Sequence, residues 1–191
     1  MQLALEIANI TKIRYLFMNH DVIKYSLAIV FILIAVATDY KEYKVKNKHV
    51  IVFLAIGIVF SCVSSGITGL LDSIYGFMIP LALFPLFALK MLGAGDIKGF
   101  CAIGGIVGLR ISIYTVLFSI IVGGAIALVF MIFRKNALQR FKKFGLYLMQ
   151  CFYMHKLLPY DQFTDEKSGF RFTFGIFGGF ILAILWVNHI I

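Results

Sequence analysis

Asp39 closes the apolar run SLAIVFILIAVATD, residues 26–39, and Asp96 lies in LKMLGAGDIKGF, residues 89–100, at the threshold of another apolar run. Carboxylates so placed can do chemistry if they meet. Two carboxyls a few ångströms apart resist joint ionisation, so one keeps its proton and the pair titrates as a coupled unit. One member is then a base and the other an acid. The base takes a proton from a water as that water attacks a peptide carbonyl, and the acid donates to the carbonyl oxygen. This is aspartyl proteolysis, and it calls for no cofactor.

The remaining residues leave few competitors. Glu6, Asp21, Asp161, Asp165 and Glu166 belong to polar segments, and Asp72 follows Leu70 and Leu71 near the outer end of a third apolar run. Glu42 stands beside Asp39, where it either contacts a substrate or is solvated. His20, His49, His155 and His189 are scattered, with no pair at i, i+4 to hold a metal and no Ser or Cys placed beside them by a motif. Cys62, Cys101 and Cys151 form no C-x-x-C pair, so neither a zinc knuckle nor a disulfide framework is indicated. Taken singly, an aspartate at a helix end among lysines is a solvated cap or half of an interfacial ion pair. Gly93 and Gly95 separate Asp96 from that ordinary case. They remove side chains beside the acid and let an extended substrate strand approach where a Cβ would block it.

For the two acids to meet, the chain must bring them to one face of a membrane. With 61% hydrophobic and 14% charged residues over 191 positions, this is not the composition of a soluble domain. It describes an all-α polytopic integral membrane protein. Windows of about 20 residues give six candidate spans at 22–38, 49–65, 68–89, 97–112, 112–133 and 170–191. The fourth, with Gly99, Gly104, Gly105 and Gly108, either packs closely on its neighbours or does not cross fully. Fourteen of the eighteen basic residues fall after spans one, three and five, which puts those loops in the cytoplasm and the short turns outside. Lys12, Arg14 and Lys24 precede span one and run mildly against this. Two spans separate Asp39 from Asp96, so both acids face the cytoplasm. Residues 134–169 form a basic cytoplasmic loop or an interfacial helix, since Leu138, Phe141, Leu148 and Phe152 recur at helical spacing beside Lys135, Arg140, Lys142 and Lys143. The first twenty residues lack the basic-then-apolar order of a cleavable signal and read as an amphipathic lead-in. Topology and anionic lipid account for the net charge of +9, so nucleic acid is not an expected partner.

These residues carry a family resemblance. GAGD at 93–96 with Lys98 resembles the G-x-G-D-x-K signature of the type IV prepilin peptidases, a family of intramembrane aspartyl proteases. Asp39 stands where that family has its first catalytic aspartate, which opens a D-x5-I-P-N motif. Here Val45 and Lys46 replace the isoleucine and proline, and Asn47 matches. FRFTFGIFGGFILAI at 170–184 is similar to the family's last helix. The resemblance implies Asp39 and Asp96 as catalytic residues, with Gly93, Gly95, Lys98 and Asn47 as substrate-binding or supporting ones. It implies cleavage of the short basic leader of a type IV or Flp-type prepilin at the cytoplasmic side of the cell's inner membrane. Lacking paired C-x-x-C motifs, the chain resembles the short, peptidase-only forms that do not N-methylate the new terminus. Lys98 either pairs with a carboxylate and biases its protonation or meets a lipid headgroup. Two readings from other classes stand beside this one: a small proton- or cation-coupled transporter, and an inactive scaffold of a pilus or secretion apparatus. Transport sites favour acids near the midplane, whereas these acids lie at one face.

Overall fold

In hydrocarbon every backbone N–H and C=O must be satisfied within its own segment, and a long apolar run does this as a helix. The computed structural model describes residues 2–42, 47–88, 92–133, 145–146, 149, 153 and 172–190, and over these the regular structure is helical throughout. In chain order the elements are α1 (Gln2–Glu42), α2 (Asn47–Met78), a 3-10 segment (Ile79–Leu83), α3 (Phe84–Ala88), α4 (Ala94–Val107), α5 (Leu109–Phe133) and α6 (Thr173–Ile190). Pro80 and Pro85 stand in the first turns of the 3-10 segment and of α3, where a missing N–H costs little. Among the described residues, three stretches are long and apolar enough to cross a membrane: His20–Tyr40, Asn47–Ala88 and Leu109–Phe130. Large apolar side chains such as Val59, Val63, Ile67, Ile121 and Phe133 point outward, as a bilayer solvent permits. The fold is an all-α polytopic membrane fold.

At 42 residues, Asn47–Ala88 is about twice the length of one crossing. It folds back at Gly66, whose φ of 61° and ψ of −140° interrupt the helix. That conformation lies in the region open mainly to glycine. Beyond the turn, a Cβ placed on Gly69 would strike the carbonyl oxygen of Ser61. In a continuous helix eight residues rise about 12 Å, so this contact requires two antiparallel arms.

Both arms clasp α4, which is buried from Gly99 through Val107. The clasp works through small residues. Gly76 and Gly104 meet backbone to backbone, and a Cβ on either would collide with the other's carbonyl. Ser73 Oγ donates to the Gly105 carbonyl at 2.6 Å and Ser112 Oγ to that of Gly76 at 2.8 Å. Between helices in lipid there is no hydrophobic drive, so close backbone approach and hydrogen bonds of this kind hold the helices together. At 14 residues, α4 is about 21 Å long, short of the ~30 Å hydrocarbon thickness. The fourth apolar run is thus both closely packed and short.

The break between the fourth and fifth runs falls at Gly108 rather than near residue 112 as the hydropathy windows place it. Gly108 adopts φ 88°, and Asp72 reaches across from α2 so that its Oδ1 accepts from the Leu109 N–H at 3.0 Å. An acid read from sequence as a span-end residue is therefore the cap of α5. The segment 134–169, expected as a basic loop or interfacial helix, lies outside the described residues but for 145–146, 149 and 153. The expected amphipathic lead-in is helical from Gln2, while its side chains up to Asn19 lie outside the description.

Candidate active site

The sequence around Asp96 builds a helix start. Gly93 is the N-cap in an extended conformation (φ −75°, ψ 145°), and its carbonyl accepts from the N–H groups of Asp96 at 3.1 Å and Ile97 at 3.4 Å. Asp96 sits in the first turn, and its carboxyl takes a backbone hydrogen bond from Gly93 in return. This is the reciprocal logic of a capping box, with an acid at the third helical position. A Cβ on Gly93 would lie 3.0 Å from Asp96 Oδ2, so glycine leaves the carboxyl its room. The need here is space, since a φ of −75° suits any residue.

Asp39 arrives from the last turn of α1 and is half-buried. Its Oδ2 accepts a hydrogen bond of 2.6 Å from the hydroxyl of Thr173, the first residue of α6. Thr173 in turn lines a cavity of about 10 Å³ with Asp96, Gly95 and Gly99 of α4, Ile176 of α6 and Ala35 of α1. That is about the room a single water needs. The two aspartates thus come together from helices 57 positions apart in sequence, linked through Thr173 and within electrostatic reach of one another.

Asp96 lies just ahead of the fourth apolar run. Burial pushes its carboxyl up to about 6, the Gly93 backbone hydrogen bond pulls it down, and the charge on Asp39 raises it again. Two helix N-termini, those of α4 and α6, converge on the pair, and their exposed N–H groups favour negative charge. Burial thus favours the neutral form of Asp96, while the helix N-termini favour negative charge beside it.

Packing elsewhere sets α6 in place. Gly175 approaches Gly123 of α5, and a Cβ on Gly179 would meet the backbone of Ser119. The Phe172 ring packs edge-on against Phe100 of α4 at 6.1 Å. Small residues on α5 and α6 thus fix where the Thr173 hydroxyl falls.

The other sequence candidates divide. Gly93 and Gly95 are at the site. Lys98 is exposed and turns to α2, donating to Asn47 Oδ1 at 3.0 Å. Lys98 and Asn47 join the starts of α4 and α2, which is a supporting role. Thr173 was missed by sequence reasoning. Its signal, a lone hydroxyl at the entrance of the last apolar run FRFTFGIFGG, was present but said nothing of a partner 134 residues away.

A model of the type IV leader peptidase family matches residues 26–128, more than half of the chain, and this range holds both Asp39 and Asp96. The chain belongs to the type IV leader peptidase family. None of the curated proteins and none of the solved structures matches it. This leader peptidase family member is accordingly a hydrolase of the membrane, and its matched region stops before α6.

Proposed function

We propose that this peptidase is an intramembrane aspartyl endopeptidase that removes the short basic leader of type IV pilin-like precursors, with Asp39 and Asp96 activating water. The reading is supported by Asp96 lining a water-sized cavity with Thr173, whose hydroxyl donates to Asp39, and by the charge of Asp39 reaching Asp96, in a chain of this family. In the reaction the ionised aspartate takes a proton from water, whose oxygen attacks the scissile carbonyl. The protonated aspartate gives its proton to the carbonyl oxygen, and the tetrahedral intermediate then collapses with a proton delivered to the leaving amine. The precursor's apolar helix lies in the bilayer and presents its leader at the cytoplasmic face of the inner membrane, where the basic loops of this chain also contact anionic lipid. Flp-type prepilins, which suit short peptidase-only enzymes, are the favoured substrates.

Co-expression with a candidate prepilin tests the reading. Wild type should shift the precursor to the mass of the leaderless form, and D39N and D96N should each lose at least about a thousandfold in rate while inserting normally, on the scale of losing a general acid or base. Full processing by either variant would overturn the proposal.

A further inference from the structure

Thr173 belongs to no role assigned so far. It is 3% exposed, it opens α6, and its hydroxyl meets Asp39 and lines the cavity shared with Asp96. A hydroxyl that donates to a carboxylate favours its ionised form and holds its direction. We propose that Thr173 is a positioning residue that keeps Asp39 as the ionised, water-activating member of the pair and so leaves the shared proton on Asp96.

The surroundings of the two acids differ in the sense this requires. Asp39 has a hydroxyl donor on Oδ2 at 2.6 Å, with the N-terminal turn of α6 behind it. Asp96 sits against the apolar wall of Phe31, Ile32, Ile103 and Ile176, where a neutral carboxyl is the cheaper state. The other titratable side chains described at this end are Tyr40 on α1, Lys48 and His49 on α2, and Lys98 on α4, which is turned to Asn47. From α6 the polar group at this end is Thr173 itself. Each acid thus has one hydrogen-bond donor, the Thr173 hydroxyl for Asp39 and the Gly93 backbone N–H for Asp96, and the asymmetry rests on the apolar wall, whose burial of Asp96 outweighs the Gly93 bond. It assigns Asp39 to the water and Asp96 to the carbonyl oxygen of the substrate.

The inference rests on the proposed Asp39 and Asp96 chemistry, and a substrate-free titration separates the two. Infrared difference spectra of the purified full chain in lipid nanodiscs follow the protonated-carboxyl band against pH. In wild type the band that persists to the highest pH should vanish in D96N and survive in D39N. In T173V the highest-pH band should no longer vanish with D96N alone, because the donor that holds Asp39 in its role is gone. T173S keeps the hydroxyl and should titrate as wild type. With a prepilin as substrate, T173V should lower kcat by about ten- to a hundredfold with KM little changed, and T173S should restore it. A wild-type titration in T173V, a highest-pH band belonging to Asp39, or a T173S that falls with T173V would each overturn the inference. If T173V does not fold, the assignment of the band by D96N and D39N and the behaviour of T173S still decide it. Loss of processing in D39N and D96N alongside a wild-type T173V would leave the peptidase reading standing and remove only this one.

Discussion

Asp96 carries its proton to about pH 6 because burial raises it, with the Asp39 charge adding to the effect. In the proposed mechanism the working state holds that proton, so activity is lost as pH rises through about 6 and the rate should fall on the alkaline side, towards tenfold per unit. The same shift acts on stability with a definite sign. Between the ordinary carboxyl value of 3.8 and about 6 the folded chain binds a proton that the unfolded chain has released. Stability from this group is thus complete below 3.8 and lost as pH rises through about 6. Thermal melts should show D96N gaining over wild type at pH 8 and matching it near pH 3.5. A D96N that gains equally at both values would mean the carboxyl is not held neutral by its surroundings.

Helix contacts, more than side-chain chemistry, decide whether those acids meet. The returning arm of α2 packs backbone to backbone on α4 because Gly76 and Gly104 carry no Cβ, and α5 starts where it does because Asp72 caps Leu109. G104A would push its methyl into the Gly76 carbonyl and should cost about 1–3 kcal/mol, the range for overpacking. In a chain of this size that lowers Tm by roughly 2–12 °C. Gly124 on α5 has open space where a Cβ would go, so G124A should leave Tm unchanged or raise it slightly through helix propensity. Melts of the two variants in one detergent check the pair. Equal losses would mean that glycine matters here for the single helix and not for the contact.

Across the whole molecule, the Gly66 turn and the acids lie at opposite ends. From Asp96 in the first turn of α4 to its C-cap Gly108 is twelve residues or about 18 Å, and Gly108 meets Asp72 on the returning arm of α2, near the Gly66 turn. If the acids face the cytoplasm, the exposed Ser65 beside that turn faces outward and the exposed Lys48 at the start of α2 faces inward. With the three native cysteines replaced by alanine, a membrane-impermeant maleimide should label S65C in intact spheroplasts and K48C only in inverted vesicles. The reverse pattern would put the site on the outer face.

Much of this was legible in the residues themselves. Hydropathy alone marks where helices form, because a 20-residue apolar run has one way to satisfy its backbone in lipid. The glycines around Asp96 and the count of runs between it and Asp39 gave reason to pair the acids, since an even number of crossings returns the chain to one face. Gly108 reads as part of an apolar run because hydropathy has no term for a backbone turn that a distant carboxylate caps. Asp72 and Lys98 are ambiguous for a related reason: their partners, Leu109 and Asn47, are 37 and 51 positions away. The sequence by itself determined the helices, the membrane and the two acids, all consequences of local composition and parity. Only the tertiary structure decided that α6 lays Thr173 against Asp39, because that contact is set by how closely Gly175 and Gly179 let α6 approach α5, and close packing between distant segments leaves no periodic trace in the chain.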